Sequence, residues 1–366
     1  MKIPYINLKK QYYFEKAQIL KIINKVIGSG EWVGGSEVNL FENNISKICK
    51  TKYCVSLNSG TDALTLALHL LGVRRGDEVI TPPNSFVAST AVIVHLGAKP
   101  VFADVKNDQN IDINEIEKKI TKKTKAIMPV HLTGRMCDMD KIIKVASKYK
   151  IPVIEDCAQS IMSQYKKKMS GAWGDVGCFS AHPLKNLNAI GDGGYLTTNN
   201  KSLYQKIKNL RTHGMDDDRN NVKNFGYVSR MDNLQAAILN FRIKNLKKII
   251  KIRRNNVNLY LENLNPKKIY FPNENKYQFN TYHTFVIQVD KRDQLKKFLK
   301  NKGIDTAIHY PVPIHLQSAS KFLNLKNGSF PNAEIQAKRI LTLPINQFLK
   351  KKEIIYICKQ INRFYS

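Results

Sequence analysis

The chain has 366 residues, 43% of them hydrophobic, which is enough for one large α/β domain and a smaller one. No apolar run approaches the roughly 18 residues of a membrane span and no secretory segment opens the sequence, so we expect a cytoplasmic protein without membrane insertion. The formal net charge of +30 is spread along the chain rather than concentrated in one arm, which indicates compositional bias rather than a specific nucleic-acid partner.

The cysteines and histidines predict neither disulfides nor a metal. The six cysteines form no C-x-x-C pair, so reduced and mostly buried thiols are expected. The eight histidines lack the H-x-x-x-H and H-E-x-x-H spacings that bind metals, and no metal site is predicted.

Residues 53–200 alternate β-type segments with helical ones. Predicted strands, rich in Val, Ile and aromatic residues, lie at 53–58, 78–83, 100–105, 126–132, 151–157, 175–181 and 193–199. Predicted helices lie between them at 61–72, 86–97, 112–120, 138–149 and 201–211. The alternation predicts a mostly parallel seven-stranded sheet with helices on both faces. The last connection, residues 183–192, is too short for a helical crossover, so one strand is expected to be antiparallel.

The pattern changes after residue 246. A long basic helix, a strand, a further helix, a Pro-rich segment and two helices are predicted at 235–264, 281–289, 291–302, 309–315, 332–340 and 350–364. We therefore predict a large domain, residues 1–245, whose first 35 residues lie near the active site, and a smaller α/β C-terminal domain, residues 246–366.

Polar residues follow the first two strands at the carboxyl edge, where open parallel sheets bind ligands. The first strand leads into Gly60, with Ser59 or Thr61 able to cap the next helix. The N–H groups of that helix would bind an anion, although an ordinary cap has the same sequence pattern. The second strand ends near Phe86, which at such a position is usually a core residue but can stack on a planar cofactor ring.

The fifth and sixth strands are followed by ionisable residues. Glu155 and Asp156 come directly after an apolar strand, where a buried acid either caps the next segment or meets a cation such as a ring nitrogen. Lys185 lies between small residues and a glycine-rich turn, and burial favours the neutral, nucleophilic amine that forms Schiff bases. Together, an anion site, a carboxylate and a lysine meet the demands of pyridoxal 5′-phosphate (PLP).

Six segments closely resemble the nucleotide-sugar aminotransferases of the DegT group, which have the aspartate-aminotransferase fold (PLP fold type I). They are NSGTDAL (58–64), PPNSFVAST (82–90), EDCAQS (155–160), FSAHPLKNLNAIGDGG (179–194), GYVSRMDNLQAAIL (226–239) and HYPVPIHLQ (309–317). They occur in this order over nearly the whole chain, and together they are highly specific.

The resemblance implies a role for each matching residue. Lys185 would form the Schiff base with PLP and then move the proton between two carbons. Asp156 would pair with the pyridine nitrogen, Gln159 would contact the ring's 3′ oxygen and Phe86 would stack on the ring. The phosphate would be held by Gly60, Thr61 and Ser180. The sugar would lie near His309 and Tyr310, and His182 lies close to the lysine in the motif.

Two positions depart from the family pattern. Val228 replaces an asparagine that in some relatives reaches the phosphate bound by the partner subunit, and Ala181 replaces a phenylalanine, which would widen the pocket. Some relatives carry histidine in place of the lysine and are dehydratases, and the lysine at position 185 argues against that activity.

The resemblance implies a two-step transamination, in which glutamate gives its amino group to PLP and the cofactor passes it to a ketone on a dTDP- or UDP-linked hexose. A 3-keto sugar is favoured by HYPVPIHLQ, and a 4-keto sugar is the alternative. The alternatives of another class are a DNA-binding regulator, suggested by the charge, and a PLP-binding sensor without turnover.

The resemblance also implies a homodimer with shared active sites, and two-fold dimers are the commonest oligomers. The polar stretch His213–Asn224 has few apolar anchors, so we predict that it reaches the partner's cofactor site. Arg230 is the expected polar contact there, because Val228 cannot donate a hydrogen bond from its side chain.

Overall fold

The computed structural model describes residues 2–215, 220–222 and 224–366. The α-helices are α1 Leu8–Ser29, α2 Ser36–Cys49, α3 Gly60–Leu70, α4 Val87–His95, α5 Ile113–Lys118, α6 Met139–Tyr149, α7 Lys201–Leu210, α8 Asn233–Asn263, α9 Arg292–Asn301, α10 Pro331–Arg339 and α11 Lys351–Tyr365. The strands are β1 Tyr53–Leu57, β2 Glu78–Thr81, β3 Lys99–Phe102, β4 Thr124–Ile127, β5 Ile154–Asp156, β6 Gln164–Tyr165, β7 Lys168–Met169, β8 Val176–Ser180, β9 Gly194–Thr198, β10 Ile269–Tyr270, β11 Gln278–Phe279, β12 Phe285–Val289 and β13 Ile340–Leu343.

The large domain is built on a seven-stranded sheet. Strands β1-β9-β8-β5 form one half and β4-β2-β3 the other, and parallel bridges from Ile127 to Val153 and from Val130 to Asp156 join the halves between β5 and β4. Strand β9 is antiparallel to both of its neighbours, β1 and β8, while β5 pairs in parallel with β8 and β2 in parallel with β3 and β4. The predicted mostly parallel seven-stranded sheet with one antiparallel strand is therefore confirmed.

Helices cover both faces of this sheet, because successive strand residues point to opposite sides. In β2, Val79 packs in the cluster that contains α3, α4 and α7, whereas Ile80 packs in the cluster that contains α5 and α6. In β8, Cys178 joins the first of these clusters and Phe179 packs beneath α2 and α8. The continuous apolar character of these strands follows from burial on both faces.

Helix α8 connects the large domain to a smaller α/β unit. Its N-terminal half packs Ala236 and Leu246 with the large domain, and its C-terminal half packs Val257 and Tyr260 with the antiparallel sheet β10-β12-β13 and helices α9 and α11. The division proposed at residue 246 thus falls within one unbroken helix. The start of the chain also reaches this unit, because Ile3 forms a bridge with Ile304.

Some elements were not predicted. Helix α1 has no broad apolar stripe, since only Gln11, Ile19 and Val26 are buried in it. Helix α2 does carry a stripe of Val38, Phe41, Ile45 and Cys49, so helical spacing was a usable signal there. The predicted strand at 281–289 begins only at 285, and the two-residue strands β6, β7, β10 and β11 are too short to produce a periodic pattern.

The six cysteines are buried and unpaired, as predicted. Within the described ranges, none of the helices combines the length and the apolarity that a membrane-spanning helix requires.

Candidate active site

A cavity of about 340 Å³ lies at the carboxyl edge of the sheet, enclosed by strand ends, the first residues of the chain and two segments of the small domain. Every predicted site residue except Arg230 borders it: Gly60, Thr61, Phe86, Asp156, Gln159, Ser180, His182, Lys185, His309 and Tyr310. The residues of the large domain meet there because parallel strands bring the loops after them to one edge, whereas His309 and Tyr310 come from the small domain.

Helix α3 begins at this cavity. The Ser59 Oγ accepts the N–H of Asp62 at 3.0 Å, so Ser59 rather than Thr61 caps the helix. The N–H groups of Gly60 and Thr61 have no acceptor among the residues that the structure describes. A side-chain carbon added at Gly60 would lie 2.7 Å from the Cβ of Ser180. Glycine therefore lets the helix start lie against β8, which leaves two N–H groups for an anion.

Asp156, the last residue of β5, supplies a carboxylate to the cavity. It is 4% exposed, and its oxygens accept the Oγ–H of Ser89 at 2.7 Å and the N–H of Ala158 at 3.1 Å. These two donors fix the carboxylate in place. A buried carboxylate is stabilised by a cationic partner, and a positively charged ring nitrogen is such a partner. Ser89 belongs to the PPNSFVAST motif but was not predicted as a site residue.

The neighbouring acid, Glu155, faces the other side of the strand, where its hydrogen bonds hold the surrounding loops together. Its carboxylate contacts the His131 Nε2 at 2.9 Å and accepts the N–H groups of Gly171, Trp173 and Gly174. Because the N–H of Cys137 donates to Nδ1 of His131, the proton of the ring lies on Nε2 and is donated to Glu155. Strand alternation thus gives the two neighbouring acids different surroundings, with Asp156 at the cavity and Glu155 in a network of structural hydrogen bonds.

Lys185 lies in the loop between β8 and β9, where its backbone N–H donates to the carbonyl of His182 at 2.8 Å. Burial lowers the pKa of its amine to about 8, and the negative charge of Asp156 partly offsets this effect. A large fraction of the amine is therefore unprotonated in mildly alkaline solution, which is the form that attacks a carbonyl.

Gln159, Phe86 and Tyr310 lie around the Asp156 side of the cavity. The Gln159 Oε1 accepts the N–H of Thr133 at 2.7 Å, which fixes the side-chain amide. Phe86 is 53% exposed and its ring centroid lies 5.9 Å from that of Tyr310, so it is not a core residue and its ring is accessible from the cavity. Burial raises the pKa of the Tyr310 phenol, which stays protonated.

Two histidines from the small domain border the cavity as neutral rings. The His309 Nδ1 lies 2.9 Å from the Thr342 Oγ1, and burial lowers the pKa of His309 to about 4. Burial also lowers the pKa of His283 well below its usual value, and the charge of Lys185 adds to this effect. His283 and Tyr5 were not predicted as site residues, since the first lies in a strand-like segment and the second precedes all the motifs.

Arg230 does not border the cavity, and its buried Nε has no hydrogen-bond partner among the described residues. Part of the predicted crossing stretch His213–Asn224, residues 216–219 and 223, lies outside the described residues. Val228 is 56% exposed. Ala181 is fully buried in the core and does not border the cavity, so the expected widening of the pocket is not found.

These groups fit PLP. The helix start can bind its phosphate, the Asp156 carboxylate can bind its ring nitrogen, the amine of Lys185 can react with its aldehyde, and the exposed ring of Phe86 can cover its face. Such a set at the edge of a mostly parallel seven-stranded sheet defines a PLP-dependent enzyme with the aminotransferase fold.

The chain belongs to the DegT/DnrJ/EryC1/StrS aminotransferase family, whose profile matches residues 14–362. It is 38% identical over 363 residues to the dTDP-3-amino-3,6-dideoxy-alpha-D-galactopyranose transaminase of Aneurinibacillus thermoaerophilus, with 99% of each chain covered. It is 37% identical over 369 residues to the Pleiotropic regulatory protein of Geobacillus stearothermophilus, with 100% of this chain and 99% of that one covered.

Solved structures agree. DesV of S. venezuelae, in complex with a ketimine intermediate, has a TM-score of 0.96 and 34% sequence identity over 99% of this chain and 98% of that one. Further similar structures are of a PLP form and of a protein with bound pyridoxamine phosphate (PMP). The protein is therefore a PLP-dependent sugar aminotransferase, and the predicted family, fold, enzyme class and cofactor are confirmed.

Proposed function

We propose that the protein transfers the amino group of glutamate to a ketone on a nucleotide-linked hexose, for the synthesis of an amino sugar of a surface glycan or a glycosylated metabolite. The single observation that carries this proposal is the cavity in which the amine of Lys185, with a pKa of about 8, lies with the carboxylate of Asp156. The names of related enzymes, which include dTDP- and UDP-linked sugars, support the substrate class.

Each residue has a defined task in this mechanism. PLP, when bound, supplies an electron sink for the carbon that loses or gains the amino group. Asp156, held by Ser89 and Ala158, keeps the proton on the ring nitrogen. The N–H groups of Gly60 and Thr61 bind the phosphate, and Phe86 and Gln159 orient the ring.

Lys185 moves the proton. With PLP bound, its amine would remove the proton from the carbon that bears the amino group of the donor and would later deliver a proton to the sugar carbon that gains the amino group. The pKa of about 8 suits both directions, because a general acid–base works best when its pKa lies near the working pH. His309 and Tyr310 border the same cavity and are proposed to contact the sugar, with His182 beside the lysine.

A ketone at carbon 3 is the favoured substrate. Four relatives that are 34–38% identical have names that contain a 3-amino, 3-dehydro or 3-oxo sugar. The HYPVPIHLQ segment supports the same position, and a 4-keto sugar remains the alternative within this enzyme class.

The test is a transfer assay with nitrogen-15-labelled glutamate and a panel of dTDP- and UDP-linked 3-keto and 4-keto hexoses. We expect label in the sugar product with a 3-keto acceptor, detected by mass spectrometry. If label appears in the product only with 4-keto acceptors, the substrate is a 4-keto sugar instead. Cofactor binding without transfer to any acceptor would favour a PLP-binding sensor.

We also propose a homodimer in which each active site is shared. The support is an exposed apolar group beside the predicted crossing stretch: Phe225, Tyr227 and Val228 are 96%, 40% and 56% exposed. The Nε of Arg230 has no partner within the described ranges, which supports this residue as the polar contact with the partner's site.

Complementation tests the shared site. Lys185→Ala and Arg230→Ala, each impaired alone, are mixed under conditions in which subunits exchange. Mixed dimers then contain one doubly damaged and one intact site, so activity should partly return. If exchange is verified and no activity returns, Arg230 does not act across the interface. A cytoplasmic location remains part of this proposal and is supported by the buried free thiols.

A further inference from the structure

Arg253 lies in the middle of α8 and borders a second, narrow pocket next to the main cavity. The two pockets share Ile6, Leu184 and Lys185 in their walls. The narrow pocket has about 20 Å³ of free volume, which is room for one small polar group but not for a whole ligand. Arg253 therefore lines a small space that adjoins the main cavity on the side of Lys185.

The guanidinium of Arg253 has no anionic partner in the described part of the chain. It is 7% exposed, and its Nη1 donates to the carbonyls of Tyr282 and His283, both at 3.2 Å. Its buried Nε has no hydrogen-bond partner among the residues that the structure describes. By contrast, the arginines nearest to it along α8 pair with carboxylates, Arg242 with Glu15 and Arg254 with Glu274.

A buried guanidinium without a counter-anion is unfavourable, because the desolvation of the charge is not compensated. Burial indeed lowers the pKa of Arg253 to about 10, which still leaves it charged at neutral pH. Its backbone contacts hold Tyr282, whose φ of 48° lies in the left-handed region. Held strain of this kind clusters at functional sites.

Glutamate carries two carboxylates, and one subunit alone offers few cations in the main cavity to bind them. No arginine borders the main cavity among the described residues. His283 and His309 are neutral because their pKa values are lowered, and the amine of Lys185 must be neutral to react. Arg253 is the guanidinium that borders the pocket beside this lysine.

We propose that Arg253 binds a carboxylate of the amino donor through its unpartnered guanidinium edge. This inference rests on the proposed function, in which glutamate is the donor. Arg253 would recognise a pair of anionic oxygens. An acidic or phosphorylated group of the sugar substrate also presents such a pair. The two half-reactions separate these sources.

The experiment compares Arg253→Met with Arg254→Met, a matched control whose guanidinium pairs with Glu274 outside the pocket. PLP-loaded protein is mixed with glutamate alone, and PMP-loaded protein with the keto sugar alone, and the cofactor absorbance is followed. For Arg253→Met we expect the apparent dissociation constant of glutamate to rise roughly 10- to 100-fold, as for a lost charged hydrogen bond. The limiting rate should change much less, and the sugar half-reaction should be nearly unchanged.

Calorimetric titration of the PMP-loaded protein with 2-oxoglutarate provides a readout that does not depend on turnover, and the same loss of affinity is expected. If Arg253→Met does not fold, Arg253→Lys keeps the charge without the planar fork and should show a smaller rise in the same constant. Retention of wild-type glutamate affinity in this variant would then overturn the inference.

Three other outcomes overturn the inference: an unchanged dissociation constant for glutamate in Arg253→Met, equal weakening of both half-reactions, or weakening of the sugar half-reaction alone. The third would assign Arg253 to an anion of the sugar substrate. A wild-type protein that transfers amino groups from another donor but not from glutamate would contradict the proposed donor, and this inference with it.

Discussion

At the scale of single residues, burial and the charge of Asp156 act in opposite directions on the pKa of Lys185. Burial lowers the pKa of Lys185 to about 8, while the charge of Asp156 partly offsets this effect. The amine is mostly protonated below that pH and mostly neutral above it, whereas a solvated lysine would change near 10.4. The reactivity of Lys185 is therefore set by its environment and can be titrated.

The pH dependence of cofactor capture measures this pKa. In apo-protein, the rate of reaction with PLP should rise as the pH increases through about 8 and level off above it, because only the neutral amine attacks. In Asp156→Asn the midpoint should move to lower pH, since the offsetting charge is removed. A rate that rises only near the pKa of a solvated lysine would contradict this account of burial.

Ser89 is expected to act through Asp156. Removal of its hydroxyl in Ser89→Ala deletes the 2.7 Å hydrogen bond to the carboxylate. A bond to a charged group contributes about 1.5–3 kcal/mol, so turnover should fall by roughly 10- to 100-fold, with a change in the absorbance of the bound cofactor. Ser85→Ala removes a buried hydroxyl from the loop just before the helix that carries Ser89, and it is the control. Equal effects of the two variants would indicate a loss of local structure around the start of α4 instead.

The sequence predicted the residues at strand ends and in the loops after them, since a parallel sheet brings those positions together whatever the distant packing. Asp156, Lys185 and Gly60 belong to this group. His283 and Arg253 could not be predicted in this way, because they reach the site only through the packing of the small domain and α8 against the sheet. Their local sequence, a strand and a basic helix, carries no signal of this contact.

At the scale of elements, the start of α3 determines whether the phosphate can bind. The helix lies so close to β8 that a side chain at residue 60 would collide with Ser180. Sequence reasoning predicted the anion site but could not choose between Ser59 and Thr61 as the cap, because both hydroxyl residues have the required position. The hydrogen bond to Asp62 decides in favour of Ser59.

Gly60→Ala should therefore weaken cofactor retention. The added methyl group forces the helix start away from Ser180, and the apparent dissociation constant of PLP should rise by roughly tenfold or more, as for an overpacked site that loses about 1–3 kcal/mol. Gly28→Ala in α1 is the control, because nothing lies within 4 Å of the added carbon. It should leave PLP binding unchanged and slightly stabilise the protein. Unaltered PLP affinity in Gly60→Ala would remove α3 from the phosphate site.

At the scale of the whole molecule, the net charge of +30 needs no nucleic-acid function. The family profile of sugar aminotransferases covers residues 14–362, which leaves little of the chain for a separate DNA-binding domain. One relative is nevertheless named as a regulatory protein. We predict that any binding to DNA is weak, independent of sequence and lost steeply with added salt, as counterion release requires. Fluorescence titrations at several salt concentrations measure this. Tight binding to one duplex sequence at physiological salt would support the DNA-binding regulator.

The assignment of Lys185 as the residue that bonds to PLP is tested most directly by chemical trapping. Borohydride reduction of the PLP-loaded protein makes the link permanent, and peptide mass mapping then locates the modified lysine. We predict the cofactor on Lys185 alone, although the chain contains many other lysines, and no trapped cofactor in Lys185→Ala. Modification of a different lysine in the wild-type protein, with amino transfer retained in Lys185→Ala, would contradict the account.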